Sequence, residues 1–403
     1  MLISALSKRI KSPFFSSFSY SSSLALYNKS RYFSVMPHQR NRFFDITSDT
    51  ATEPTDEMFD MMKTASKGDD VFGEDTSVNA LEAHVAKLLG QESALFCVSG
   101  CMTNQLGLRT LLTQPPHSVL VDARSHIFNY ECGGLAYHSQ ASASPVVPRN
   151  GHHLTVEDIA SNLITDTLCS PVTKVVALEN TLNGSIMPLD EIKRIREYTL
   201  SRGLKMHLDG ARLWNASAET GIPLHEYGQY FDTISVCLSK GVGAPIGSML
   251  VGSKQNMLQA RQIRKLMGGG WRQAGSLAFI AQYCIDSVVP TMKQTHQLTR
   301  RLAAGLQDLG MELSYPCETN MVFLNTAPAG ITVDALATAL KQHNIIMSKD
   351  PGYEARIVLH YQIPEHAVDT FISVASELVE KRKLDPTPIE HIQATGSAYP
   401  SSR

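Results

Sequence analysis

Cysteine is scarce and unpatterned in this chain of 403 residues: seven are scattered at 97, 101, 132, 169, 237, 284 and 317, with no Cys-x-x-Cys. That argues against a disulfide framework or a structural zinc site and fits thiols kept reduced. Long apolar runs are also lacking, each being broken by polar residues well before membrane-spanning length, so no transmembrane helix is expected. Charge of one sign is nearly balanced out, with a formal net charge of -2 and a pI near 6.7. Nothing therefore advertises nucleic acid or an anionic membrane as a partner. No Gly-x-Gly-x-x-Gly follows the first strand-like run, which weighs against a dinucleotide enzyme. What is present, 43% hydrophobic and 18% charged residues, is the composition of an ordinary α/β protein with ample material for a core.

One stretch lacks acid altogether. Residues 1–44 hold seven Lys or Arg and eleven Ser, and no Asp or Glu precedes Asp45. Leu2, Leu6 and Ile10 interleave with Lys8, Arg9 and Lys11 as in a basic amphipathic helix, and Arg31-Tyr32-Phe33-Ser34 could be a processing site. This is the composition of a mitochondrial presequence over about 1–35, which would direct the chain to the matrix. A tail without an address is the alternative, and Met36 could start a shorter cytosolic form. Residues 1–40 are set aside from fold reasoning.

Beyond Asp45, short runs rich in Val, Ile and Leu appear at 94–98, 118–122, 174–179, 205–209, 233–237 and 248–252. Helix-length amphipathic segments lie between most of them, such as Leu189–Ser201 with Leu189, Ile192, Ile195 and Leu200 near helical spacing. Strands separated by helices predict βαβ units and a mostly parallel sheet, with ligands at the carboxyl ends of the strands. A large α/β domain is expected over 41–290. A smaller C-terminal α/β domain is expected over 291–383, with helix 292–309, strand 319–325, helix 332–343 and strand 355–360. The Pro-, Ser- and Gly-bearing residues 384–403 are expected to form a mobile tail.

The strand ends carry polar groups: Ser99-Gly100, Asp122, Glu179-Asn180, Asp209 and Ser239-Lys240. Lys240 directly follows an apolar run and precedes a Gly-rich stretch. A lysine buried there would have a lowered pKa and act as an amine nucleophile, able to form an imine with an aldehyde. Taken alone it would more often be a lysine snorkelling out of a strand end. Asp209 stands 31 residues earlier at another strand end, where a carboxylate can keep the pyridine nitrogen of pyridoxal phosphate protonated and the ring an electron sink. A helix N-cap is its plainer reading. Ser99, Gly100 and Cys101 open a helix after a strand, a turn whose free N–H groups suit a phosphate. His126, soon after the next strand, could stack on the ring; a satisfied core or surface histidine is the alternative.

Together these strings become specific. His207-Leu208-Asp209-Gly210-Ala211-Arg212 followed by Leu238-Ser239-Lys240-Gly241 resembles the low-specificity L-threonine aldolase family. So do Ser48-Asp49-Thr50, Gly68-Asp69-Asp70-Val71-Phe72-Gly73-Glu74-Asp75, Ser125-His126-Ile127-Phe128, Glu179-Asn180-Thr181 and Gly268-Gly269-Gly270-Trp271-Arg272-Gln273, in collinear order from about 44 to 380. The resemblance implies the aspartate-aminotransferase-like fold (fold-type I) and pyridoxal 5'-phosphate on Lys240. Asp209 would meet the ring nitrogen and His126 the ring face. Arg212 would reach the ring oxygen and the substrate carboxylate, which Ser48 and Arg356 would help clamp. Arg272 would reach a phosphate, that of a neighbouring subunit, implying a homodimer or homotetramer with shared active sites.

Three positions depart from the family's pattern. Cys101 stands where Thr is frequent, Phe72 where Tyr is frequent, and Cys169 lies about where some members carry a histidine proposed as base. His126 or an ordered water is then the candidate base. The reaction implied is cleavage of L-threonine or L-allo-threonine to glycine and acetaldehyde, with general-base assistance worth about 10²–10⁴-fold. Another lyase using the same cofactor, similar to serine hydroxymethyltransferase or β-eliminating, shares the lysine and aspartate; fold alone does not choose between them. A catalytically silent binding protein is a remoter reading.

Overall fold

Runs of Val, Ile and Leu without alternation belong to strands covered on both faces, and they build the centre of the molecule. In the computed structural model, which describes residues 43–165 and 168–384, they are β1 (Ser93–Cys97), β2 (His117–Asp122), β3 (Ala141–Val146), β4 (Thr173–Glu179), β5 (Lys205–Asp209), β6 (Thr233–Cys237) and β7 (Ser248–Gly252). The expected presequence lies outside the described residues, and so does the expected C-terminal tail apart from Leu384, which closes a helix. The strands form one sheet in the order β1-β7-β6-β5-β4-β2-β3, with β7 antiparallel to β1 and β6 and every other pair parallel.

Six of the seven strands lie within a residue or so of the apolar runs. The seventh, β3, reads Ala-Ser-Ala-Ser-Pro-Val and lacked such a run. It is an edge strand, where four of six positions escape full burial and a proline is tolerated. The reversal of β7 also has a local cause. Only residues 238–247 join β6 to β7, fewer than the dozen or so a parallel crossover needs.

Helices cover both faces. Asp75 caps α1 (Thr76–Leu88), accepting from the N–H groups of Ser77 and Val78. Ser99 caps α2 (Gly100–Leu111), its Oγ accepting from Met102 N at 3.2 Å. The segment Leu189–Ser201 is α3. Its Ile192 and Ile195 are fully buried in the main core, each contributing roughly 2 kcal/mol of apolar burial.

The described residues form one compact unit with a second apolar core in the last third, including Leu302, Leu306, Leu324, Leu336, Ile357 and Phe371. The elements there are α4 (Met292–Asp308), β8 (Met321–Asn325), α5 (Val333–Lys341), β9 (Glu354–Val358) and α6 (Glu365–Leu384). The sequence patterns had indicated all but α6. β8 pairs antiparallel with β9 and with Glu312–Leu313. Phe44–Asp45 pairs in parallel with Ile345–Ile346, and Ile46 joins the second core. The first described residues are thereby held beside the last third of the chain. No described helix is long and apolar enough to cross a membrane.

Candidate active site

The carboxyl ends of β4, β5 and β6 lie side by side, and the register aligns Glu179 with Asp209 and Asp209 with Ser235. Lys240 sits just past β6 in the link to β7. Leu238 N and Ser239 N both donate to Gly247 O, and Gly243 N donates to Lys240 O at 2.8 Å. Gly247 must be glycine: its φ is +110, and a Cβ would lie 2.4 Å from the Phe96 ring. This short, pinned loop fixes where the lysine emerges.

The ammonium of Lys240 is shielded, and burial alone would depress its pKa. The Cys237 sulfur and the carboxylates of Asp209 and Asp49 outweigh both that and the repulsion of Arg212, so the pKa is raised above its ordinary value. The depressed value expected from the sequence is overturned, because burial brought the Cys237 sulfur and two carboxylates close to the amine.

Asp209 is 2% exposed. Its Oδ1 accepts from Ala211 N at 3.1 Å and its Oδ2 from Asn104 Nδ2 at 2.8 Å. It is not a helix N-cap: in the next helix, Leu213–Thr220, that position belongs to Arg212, without a side-chain cap. Beside it, burial and the charge of Asp209 push the Glu179 carboxyl well above the usual carboxylate range. Its Oε2 accepts from His126 N at 2.8 Å. His126 opens the one-turn helix His126–Asn129, and its Nδ1 lies 3.0 Å from Glu131 Oε1.

Arg212 is 7% exposed and grips the fully buried Asp49 through two donors, Nε to Oδ2 at 2.9 Å and Nη2 to Oδ1 at 2.6 Å. Burial raises the Asp49 carboxyl, but Arg212 more than offsets it and holds the pKa at about 2. Ser48 Oγ accepts from Thr50 N at 3.2 Å, and Arg356 on β9 donates from Nη2 to Thr47 O at 3.1 Å. One cavity of about 740 Å³ is lined by Ser48, His126, Arg212, Lys240 and Arg356. Residues separated by more than 300 positions thus share one wall.

Ser99, Gly100 and Cys101 form the amino end of α2. Gly100 is required by close approach, since a Cβ there would lie 2.8 Å from Cys237 Sγ. Cys101 is exposed as a residue, yet partial burial and the charges of Glu131 and Asp209 push its thiol up to about 11, so it stays protonated. Arg272 does not line the cavity. It is exposed, with Nη1 donating to Asp69 Oδ2 at 2.7 Å. The acidic string from Gly68 to Asp75 serves architecture here: Asp70 pairs with Arg261 and the buried Arg264, and Asp69 with Arg272. Phe72 in the same string is exposed.

Four site residues had been given no role from the sequence. Asp49 and Glu179 belong to the quoted strings but carried no assignment. Asn104 and Glu131 have no local signal, because an Asn in a helix and a Glu in a loop are ordinary until the fold buries them against each other.

A shielded lysine among carboxylates, a buried aspartate held by an amide and a backbone N–H, a glycine-tight helix start and a histidine on the wall form a set that fits pyridoxal phosphate. Seated at the strand ends of a seven-stranded, mostly parallel sheet, they define a fold-type I pyridoxal-phosphate enzyme. A family model described as beta-eliminating lyase matches residues 45–329. The low-specificity L-threonine aldolase of Eremothecium gossypii is 44% identical over 346 residues, covering 85% of this chain and 89% of that protein. Its Saccharomyces cerevisiae counterpart is 42% identical over 345 residues, 85% and 88% of the two chains. The chain belongs to the low-specificity L-threonine aldolase family. A solved structure of Leishmania major threonine aldolase has the same fold, with a TM-score of 0.72 at 21% identity over 83% of this chain and 99% of that one.

Proposed function

We propose that this chain is a pyridoxal-phosphate-dependent lyase that cleaves L-threonine and L-allo-threonine to glycine and acetaldehyde. The observation that carries the reading is the single cavity lined by Lys240, His126, Arg212, Ser48 and Arg356. Pyridoxal phosphate held on Lys240 supplies the electron sink that accepts the pair left when the Cα–Cβ bond breaks.

The rest is the work of the chain's own side chains. Arg356, Arg212 and Ser48 bind the substrate carboxylate, and that clamp selects Cα–Cβ as the bond at Cα that would break. Arg212 is suited to this because Asp49 prevents it from swinging. His126 accepts the proton of the β-hydroxyl. Asp209 keeps a proton on the cofactor's ring nitrogen, and Ser99, Gly100 and Cys101 meet the phosphate with the N–H groups of the helix start. The Cys101 thiol, being protonated, adds a weak donor and no competing charge.

Finer readings accompany this one. Arg272 serves a neighbouring subunit's phosphate in a homodimer or homotetramer; its exposure, away from its own chain's cavity, supports this. Residues 1–35 carry the chain to the mitochondrial matrix, where it would break down threonine and supply glycine. Residues 291–383 act as a small domain bringing Arg356 to the site, a division supported by the second core.

The test is to purify the chain with pyridoxal phosphate and assay L-threonine without folate. Acetaldehyde and glycine in equal amounts, with borohydride fixing the cofactor on Lys240, are expected. A bound cofactor with folate-dependent turnover, or with pyruvate as product, would hand the function to a different lyase.

A further inference from the structure

Asn104, on α2 and 1% exposed, stands between two carboxylates. Its Nδ2 donates to Asp209 Oδ2 at 2.8 Å and to Glu131 Oε1 at 2.8 Å. Its Oδ1 lies 3.0 Å from His207 Nε2, and His207 Nδ1 lies 2.9 Å from Thr233 Oγ1. These contacts admit one arrangement of protons. Two carboxylates demand the amide's NH2 edge, so its oxygen faces His207. An amide oxygen only accepts, so Nε2 of His207 carries the proton and Nδ1 accepts from the Thr233 hydroxyl. Burial holds the His207 imidazole down to about 4, which keeps it neutral in this role.

Glu131 continues the chain of contacts. Its Oε2 accepts from Gln105 Nε2 at 2.5 Å, and its Oε1 is shared between Asn104 and His126 Nδ1. With a carboxylate facing it, Nδ1 of His126 is the donor, and Nε2 becomes the basic nitrogen. The other groups around His126 include Glu179 at its backbone N–H, Cys101, the Tyr130 ring at 5.7 Å, and Lys240 and Arg212, which line the same cavity.

We propose that Asn104 is a positioning residue that ties Asp209 to His126 through Glu131, so that one carboxamide sets both the partner of the cofactor's ring nitrogen and the proton acceptor. No other residue type fits as well. An aspartate would place a third negative charge against two others, and an apolar residue would leave both carboxylates and His207 short of a partner. The His126 half rests on the lyase reading above; the Asp209 half needs only the cofactor.

The experiment compares holoenzymes of the native chain, Asn104→Ala and Glu131→Gln by pH titration of the cofactor's visible band and by the pH profile of kcat/KM for threonine cleavage. In Asn104→Ala a loosened Asp209 holds the ring proton less well, so the Lys240 linkage keeps its own proton to higher pH. The band midpoint is expected to rise by about one pH unit, the equivalent of one charge-assisted hydrogen bond. kcat/KM is expected to fall about 10²-fold through misplacement. In Glu131→Gln the band midpoint stays, while the acid limb of kcat/KM moves to lower pH because His126 has lost its carboxylate. Should Asn104→Ala not fold, Asn104→Ser, whose hydroxyl can donate to one carboxylate only, is expected to show the same changes at smaller size. A folded Asn104→Ala or Asn104→Ser holoenzyme with the native band midpoint and native pH profile overturns the proposal, even if its melting temperature has dropped. A shifted band in Asn104→Ala, when the native holoenzyme itself releases no acetaldehyde from threonine, overturns the lyase reading and supports the Asp209 half.

Discussion

Replacing Asp49 by Asn keeps the shape of the side chain and removes its charge, which isolates the buried pair that orients Arg212. Two magnitudes bear on the outcome, and they answer different questions. The carboxyl is held at about 2 against an ordinary 3.8, a gap worth about 2 kcal/mol of folding stability. Because the folded pKa is the lower one, that contribution is present above about pH 4 and is lost as pH falls through 2. The substitution costs more, since it also leaves the guanidinium of Arg212, 7% exposed, without a counter-ion. Removing one partner of a buried pair costs about 3–5 kcal/mol, and the larger figure governs at neutral pH. The assay is denaturant unfolding of the holoenzyme from pH 2 to 8 at saturating cofactor, beside kinetics on threonine. Asp49→Asn is expected to lose about 3–5 kcal/mol at pH 7, to approach the native chain as pH falls toward 2, and to raise KM for threonine at least about tenfold as the carboxylate clamp loosens. Native stability at pH 7 together with a native KM would refute the claim that this pair positions Arg212.

Lys240→Ala is expected to abolish turnover and covalent cofactor retention while leaving the fold intact; near-normal acetaldehyde release would sink the assignment. Arg356→Ala is expected to raise KM by one to two orders of magnitude, since a charged hydrogen bond contributes about 1.5–3 kcal/mol, while the cofactor's visible band stays as it was. An unchanged KM would remove Arg356 from the clamp. His207, held down to about 4 by burial, is neutral in the folded chain. It therefore contributes stability that is complete above about pH 6.5 and declines by about 3 kcal/mol on falling to pH 4. His207→Gln is expected to flatten that slope in unfolding measurements, and an unchanged slope would contradict the burial argument.

The sequence by itself determined most of the fold and the outer members of the site. Strands buried on both faces must be apolar along their whole length, so β1, β2, β4, β5, β6 and β7 were visible as runs; β3 was not, because an edge strand needs no such run. Strand-end chemistry pointed to Lys240, Asp209 and His126, and the family resemblance added Arg212, Ser48 and Arg356. Tertiary structure alone decided what surrounds them. Burial of Lys240 brought Cys237, Asp209 and Asp49 close enough to raise its pKa where isolated burial would have lowered it. Only the folded chain sets Asp49 against Arg212, 163 residues away, and Asn104 between Glu131 and Asp209. The physical reason is that local periodicity is fixed by near neighbours, whereas electrostatic pairing depends on distance in space and on how much water the fold excludes.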